Sequence, residues 1–126
     1  MSVHGITFDT GVLVALERRS QRAWSIYRAA MLANVQVNVP TPVIAEWWRA
    51  RSDVRDMIRS GLTIEPLSES VARLAGEAIA AVAGAGVIDA IVMASAAARG
   101  DVTYTGDFDD FERLRTFFPS VRVLSI

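Results

Sequence analysis

The chain has 126 residues, 52% of them hydrophobic, with a mean hydropathy of +0.30 and a formal net charge of -1. That is enough apolar sequence for the core of one domain spanning residues 1–126, and it excludes a disordered chain. Cysteine and lysine are both absent, all thirteen basic residues being arginine. Disulfide frameworks, thiolate metal sites and cysteine nucleophiles are thereby excluded, and P-loops, receiver domains and aspartyl phosphatases, which set a lysine beside phosphate or acids, are disfavoured.

In chain order, Val3 to Phe8 is a short β-branched run ending at Asp9, and "TGVLVALERRS" follows with helical spacing. Arg22 to Ala33 continues as helix with Trp24, Tyr27 and Met31 on one face, a stripe more typical of core than of an interface. Val35 to Pro40 reads as a strand stopped by proline. The stretch "TPVIAEWWRARSDVRDMIRS" reads as one helix, capped by Thr41, with Pro42 at its first position and Gly61 closing it. Leu62 to Leu67 is the third strand, and Ser68 caps a helix from Glu69 to about Val82. "AGAGV" breaks the pattern before "IDAIVMASAAARG" resumes it, and the last two strands are Val102 to Thr105 and Val121 to Ser125. Strands alternating with helices predict an α/β fold, a parallel sheet of about five strands in the order 3-2-1-4-5 with helices on both faces.

The single histidine, His4, lies at the start of the chain, where a solvent role is expected. Asp9 interrupts the first apolar run and no basic leader precedes it, which makes a poor signal peptide. No charge-free apolar run reaches the length of a membrane span, and a cytoplasmic protein is expected. The near-neutral net charge supplies no general footprint for nucleic acid, so such a partner must be met locally.

Four acids interrupt apolar context: Asp9 in "ITFDTGVLVAL", Glu46 in "TPVIAEWW", Asp89 in "GVIDAIVMA" and Asp107 in "TYTGDF". Singly, Asp89 reads as a helix cap, Asp9 as an Asx turn and Glu46 as part of a solvated helix face, while Asp109 and Asp110 suit the cap and first turn of the next helix. Together they fall at strand ends and first turns that converge on one sheet edge, where Asp9 and Asp107 face each other across the reversal of strand order. Carboxylates at about 6 Å repel by roughly 2 to 3 kcal/mol per pair at an effective dielectric near 20, a cost that a divalent ion removes. Oxygen-only donors suit Mg²⁺ or Mn²⁺, and such ions suit phosphodiester hydrolysis.

"FDTGVLVALE", "TPVIAEWWR", "VIDAIVMASAAARG" and "VTYTGDFDDFERL", in this order and at these intervals, closely resemble the PIN-domain ribonucleases, in particular the VapC toxins of bacterial toxin-antitoxin pairs. The resemblance spans the chain. It implies a Mg²⁺- or Mn²⁺-dependent endoribonuclease acting on cellular RNA, a homodimer, and inhibition by a cognate VapB antitoxin. It implies Asp9, Asp89 and Asp107 as metal ligands, Glu46 as the residue orienting water or a second ion, Thr105 as a hydrogen-bonding support and Asp109 as an auxiliary acid, with the choice between Asp109 and Asp110 left open. Gly11 departs from the asparagine or serine frequent after "D-T" in that family. The alternative is a PIN-like module that binds a metal or partner without cleaving. Trp47 and Trp48 are adjacent and diverge by about 100° on a helix, so one of them is expected to be exposed. The arginines at 18, 19, 22, 49, 51, 55 and 59 read mostly as solvated faces, with some available to RNA phosphates.

Overall fold

A computed structural model describes residues 5–49 and 53–126; Val3, His4 and Arg51, which figure in the expectations above, lie outside these. The strands are β1 (Ile6–Phe8), β2 (Val37–Pro40), β3 (Thr63–Glu65), β4 (Val102–Thr105) and β5 (Val123–Ser125), all parallel, in the order β3-β2-β1-β4-β5. This is the predicted order, and the switch point lies between β1 and β4. Between the strands run α1 (Thr10–Glu17), α2 (Gln21–Leu32), α3 (Thr41–Trp47), α4 (Arg55–Ser60), α5 (Glu69–Ala81), α6 (Val87–Arg99) and α7 (Phe108–Leu114). No helix among the described residues is long and apolar enough to cross a membrane.

The strand pleat sorts side chains between two layers. Ile6 and Tyr104 line a groove with Ile26 and Ala29 of α2, whereas Thr7 hydrogen-bonds toward the Arg99 end of α6. Helix α6 is the centre of the molecule: Ala90 to Ala96 are all buried, and three of those seven residues are alanines, which lets α5 approach through Ala75 and Ala78. Beneath the sheet, Asp101 Oδ2 accepts hydrogen bonds from Thr7, Asn38 and Arg99 at 2.8, 2.8 and 3.0 Å. Arg99 also donates to Ser95 Oγ at 2.6 Å, so the far end of α6 is tied to β1 and β2 by a compensated buried charge.

The one helix expected between Thr41 and Gly61 is two. Trp48, at φ -81° and ψ 49°, leaves helical geometry, and α4 starts only at Arg55. The break follows from the tryptophan pair. Trp47 is 3% exposed and donates from its indole to Glu17 Oε1 at 2.7 Å, while Trp48, 40% exposed, turns edge-on to it at 5.5 Å and carries the Arg55 guanidinium 3.8 Å above its ring. Thr41 is not the cap of α3. Pro40 occupies that position, Pro42 in the first turn has no N–H to satisfy, and the Thr41 hydroxyl instead accepts from the Leu67 N–H at 3.2 Å. Gly61 does close α4, and glycine is needed there because a Cβ would lie 2.0 Å from the Tyr27 hydroxyl. In the α2 stripe Tyr27 is buried and Trp24 half-buried, but Met31 is exposed.

Candidate metal centre

The C-terminal ends of β1 and β4 deliver two residues to the switch point. Asp9 follows Phe8, caps α1 and is only 5% exposed. Its Oδ1 accepts from the Val12 N–H at 3.0 Å and the Gly106 N–H at 3.4 Å, and its Oδ2 accepts from the Thr105 hydroxyl at 2.5 Å. The Thr105 hydroxyl accepts in turn from the Asp107 N–H at 2.8 Å. One hydroxyl thus fixes the Asp9 carboxylate and the backbone of the next acid. The Gly106 contact depends on the close approach of two chain segments, since a Cβ on Gly11 would stand 3.2 Å from Gly106 Cα. Burial pushes the Asp9 carboxyl above its ordinary pKa, against the pull of those hydrogen bonds, and the charge of Asp107 adds to the rise.

Asp89 comes to the same place from the first turn of α6. The residue capping that helix is Gly86, and Asp89 makes no capping hydrogen bond, so the simple cap suggested for it does not describe it. Burial, then the charges of Asp9, Asp107, Asp110 and Glu46, push its pKa up to about 6. Asp107, exposed, and Asp110, half-buried, open α7, and carboxylate oxygens of Asp89, Asp107 and Asp110 lie within 4.8 Å of one another. The neighbouring carboxyls of Asp107 and Asp110 compete for one proton, which raises Asp107 and lowers Asp110, the latter also being held down by Arg113 in an ion pair. Exposed Glu46, near the end of α3, accepts from the Thr10 hydroxyl at 2.5 Å, which holds it beside the residue that follows Asp9.

No protein-family model and no curated protein matches the chain. Solved structures do. A chain of the VapBC2 complex of Rickettsia felis bound to a promoter DNA fragment is similar with a TM-score of 0.75 at 16% identity, over 96% of this chain and 98% of that one. A chain of the DNA-bound VapBC of Salmonella typhimurium gives 0.73 at 16% identity over 98% of both chains. A chain of FitAB bound to an IR36 DNA fragment gives 0.63 at 18% identity, over 95% of this chain and 94% of that one.

The chain has the PIN-like fold. Within it Asp9, Asp107 and Glu46 stand near enough to Asp89 to act on it through their charges, and Thr105 hydrogen-bonds to Asp9. Asp9 stays outside the tight group of three, acting on Asp89 through its charge. Asp109 is exposed and does not join that group; Asp110 does. The spacing contains the signal: Asp107 is the N-cap of α7 and Asp110 stands three residues on, the separation that brings side chains together at a helix start, whereas Asp109 points away. The Thr10 hydroxyl and the Gly106 N–H were not anticipated. Both belong to a residue directly following or preceding a site acid, and only the folded turns show which group they reach.

Proposed function

We propose that the chain is a divalent-metal-dependent endoribonuclease, the toxin of a VapBC-like toxin-antitoxin pair. The observation that carries this is the convergence of Asp89, Asp107 and Asp110 with Asp9 and Glu46 at the switch point. The donors fit Mg²⁺ or Mn²⁺: all are hard oxygens, three of them lie within 4.8 Å, and two of the carboxyls, Asp9 and Asp89, are pushed up by burial and mutual charge in the absence of a cation. Asp9, Asp89 and Asp107 would hold the ion, with Asp110 in the auxiliary place that the sequence resemblance suggested for Asp109. These residues would thereby supply a cation able to polarise a phosphodiester and to lower the pKa of water.

The chain's own groups do the rest. Three donors keep the Asp9 carboxylate in one orientation, and the Thr105 hydroxyl couples it to the Asp107 backbone. Glu46 is tethered through Oε1 to Thr10, which leaves Oε2 to orient a water and take its proton. RNA as substrate and homodimer formation rest on the sequence resemblance; partnership with an antitoxin is supported also by neighbours that are toxin-antitoxin complexes.

The test is cleavage of single-stranded and structured RNA with Mg²⁺, Mn²⁺ or EDTA. Cleavage lost in EDTA and restored by either metal is expected. Full activity in chelator would refute the metal mechanism, and metal binding without any cleavage would establish the non-catalytic module instead.

A further inference from the structure

Charge is divided unevenly along the chain. From Thr10 to Gly61 there are eight arginines against four acids, and from Leu62 onward five against nine. In the later half Arg73, Arg99, Arg113 and Arg115 are each paired with a carboxylate. Arg19 and Arg28 make no side-chain hydrogen bond or ion pair among the described residues, and both are exposed.

These two arginines flank a fixed aromatic ring. Trp24 is half-buried, its indole N–H donates to the Leu16 carbonyl at 2.9 Å, and it stands edge-on to Tyr27 at 5.3 Å. Two open grooves of about 420 and 340 Å³ border it, and both are lined by Arg19, Trp24 and Arg28. Arg19 reaches this position through a left-handed backbone, φ 61°, in the turn between α1 and α2. On the opposite face of α2 from these grooves, Arg22 donates to the Ser125 carbonyl at 3.2 Å, and Ser125 pairs in register with Thr105, the residue that holds Asp9, so the first turn of α2, which also carries Trp24, is anchored at that end of the sheet. Neighbouring strands are about 4.8 Å apart, so Arg22 stands close to the site edge.

We propose that Arg19, Trp24 and Arg28 form a docking track for single-stranded RNA, with a base on the Trp24 ring and flanking phosphates on the two guanidinium groups. The inference rests on the nuclease function proposed above. An acidic cluster repels a polyanion, and unpaired cations beside it supply the attraction that the centre lacks. An immobilised indole between two cations matches the alternation of base and phosphate, since every base has a π-face and stacking is tolerant of sequence. An acidic peptide would use the cations but has no need of the ring.

Binding of a short fluorescein-labelled single-stranded RNA, measured by anisotropy in EDTA so that no cleavage intervenes, tests the track. Arg19→Gln/Arg28→Gln should weaken binding about tenfold and lower the salt dependence of log K by about 1.4, two contacts at roughly 0.7 each on a single strand. Arg73→Gln, the loss of one charge at an exposed position on α5, should leave both unchanged. Trp24→Phe should retain binding better than Trp24→Leu. Equal affinity in the double variant and wild type overturns the track while leaving the nuclease standing. Displacement of the RNA by poly-glutamate at matched charge concentration, with no difference between Trp24→Phe and Trp24→Leu, overturns it in favour of a peptide surface. RNA held through these arginines but never cut with Mg²⁺ or Mn²⁺ refutes the nuclease and leaves the track in place.

Discussion

Asp89→Asn in the metal-free protein gives the sharpest test of the acidic centre. The shift from 3.8 to about 6 amounts to about 3 kcal/mol at 1.36 kcal/mol per unit. Asp89 is partly solvent-exposed, and screening reduces this to about 1 to 2 kcal/mol. Against it stands the attraction of a carboxylate to the N-terminus of α6, about 0.3 to 1 kcal/mol, which the asparagine forgoes. The net gain on neutralisation is then about 1 kcal/mol, or roughly 3 to 5 °C in Tm for a chain of this size. The sign in pH follows from linkage: the folded state binds the Asp89 proton more tightly than the unfolded state, so wild-type stability falls as pH rises from 3.8 through 6 and the cost is complete above that. Thermal melts in EDTA should therefore find Asp89→Asn more stable near neutral pH, with the gap closing as the buffer is taken below 6. Added Mg²⁺ should reverse the order, since the wild type gains binding energy that the variant lacks. A variant that melts lower than wild type in EDTA near neutral pH, or a gap that does not change with pH, would refute the proposed clustering of charge.

Thr105→Val strands the Asp107 N–H and removes a donor from buried Asp9, which should cost about 1 to 3 kcal/mol in denaturant unfolding and most of the cleavage, whereas Thr105→Ser should restore both. Asp110→Asn should reduce Mg²⁺ affinity, read by calorimetry, by more than Asp109→Asn does; equal effects would remove Asp110 from the centre. Stabilisation by Mg²⁺ should fade as pH drops below about 6, because protonated Asp89 competes with the ion. A guanidinium fork matches paired carboxylates, so a cognate antitoxin should place an arginine on Asp89 and Asp107, and a complex that leaves this opening empty would contradict the prediction.

Sheet order was legible because each strand run is short, β-branched and followed by helical spacing, and because Asp9 and Asp107 mark the ends of strands that a doubly wound sheet must bring together. The break at Trp48 was not. Helical spacing continues through residues 41–60, and what ends α3 is a tertiary demand, the burial of Trp47 against Glu17 while Trp48 stays at the surface. The motif alone left Asp109 and Asp110 as alternatives, and the spacing of three from Asp107 is what brings Asp110 to the group. The Thr10 to Glu46 bond joins positions in separate helices, and no local pattern announces it.

The acids at the opening differ in what they owe to the fold. Asp9 caps α1 and satisfies the Thr105 hydroxyl and the Gly106 N–H, so its loss damages architecture whether or not any chemistry takes place. Asp89 makes no hydrogen bond among the described residues, and burial and neighbouring charge make its ionised form costly. If the proposed metal chemistry is what retains Asp89, a descendant released from it would shed Asp89 early and keep Asp9 for a long time. In a chain of this architecture, the aspartate in the first strand's turn attests the scaffold; the one opening the sixth helix would, on the proposed function, attest the cation that offsets its charge.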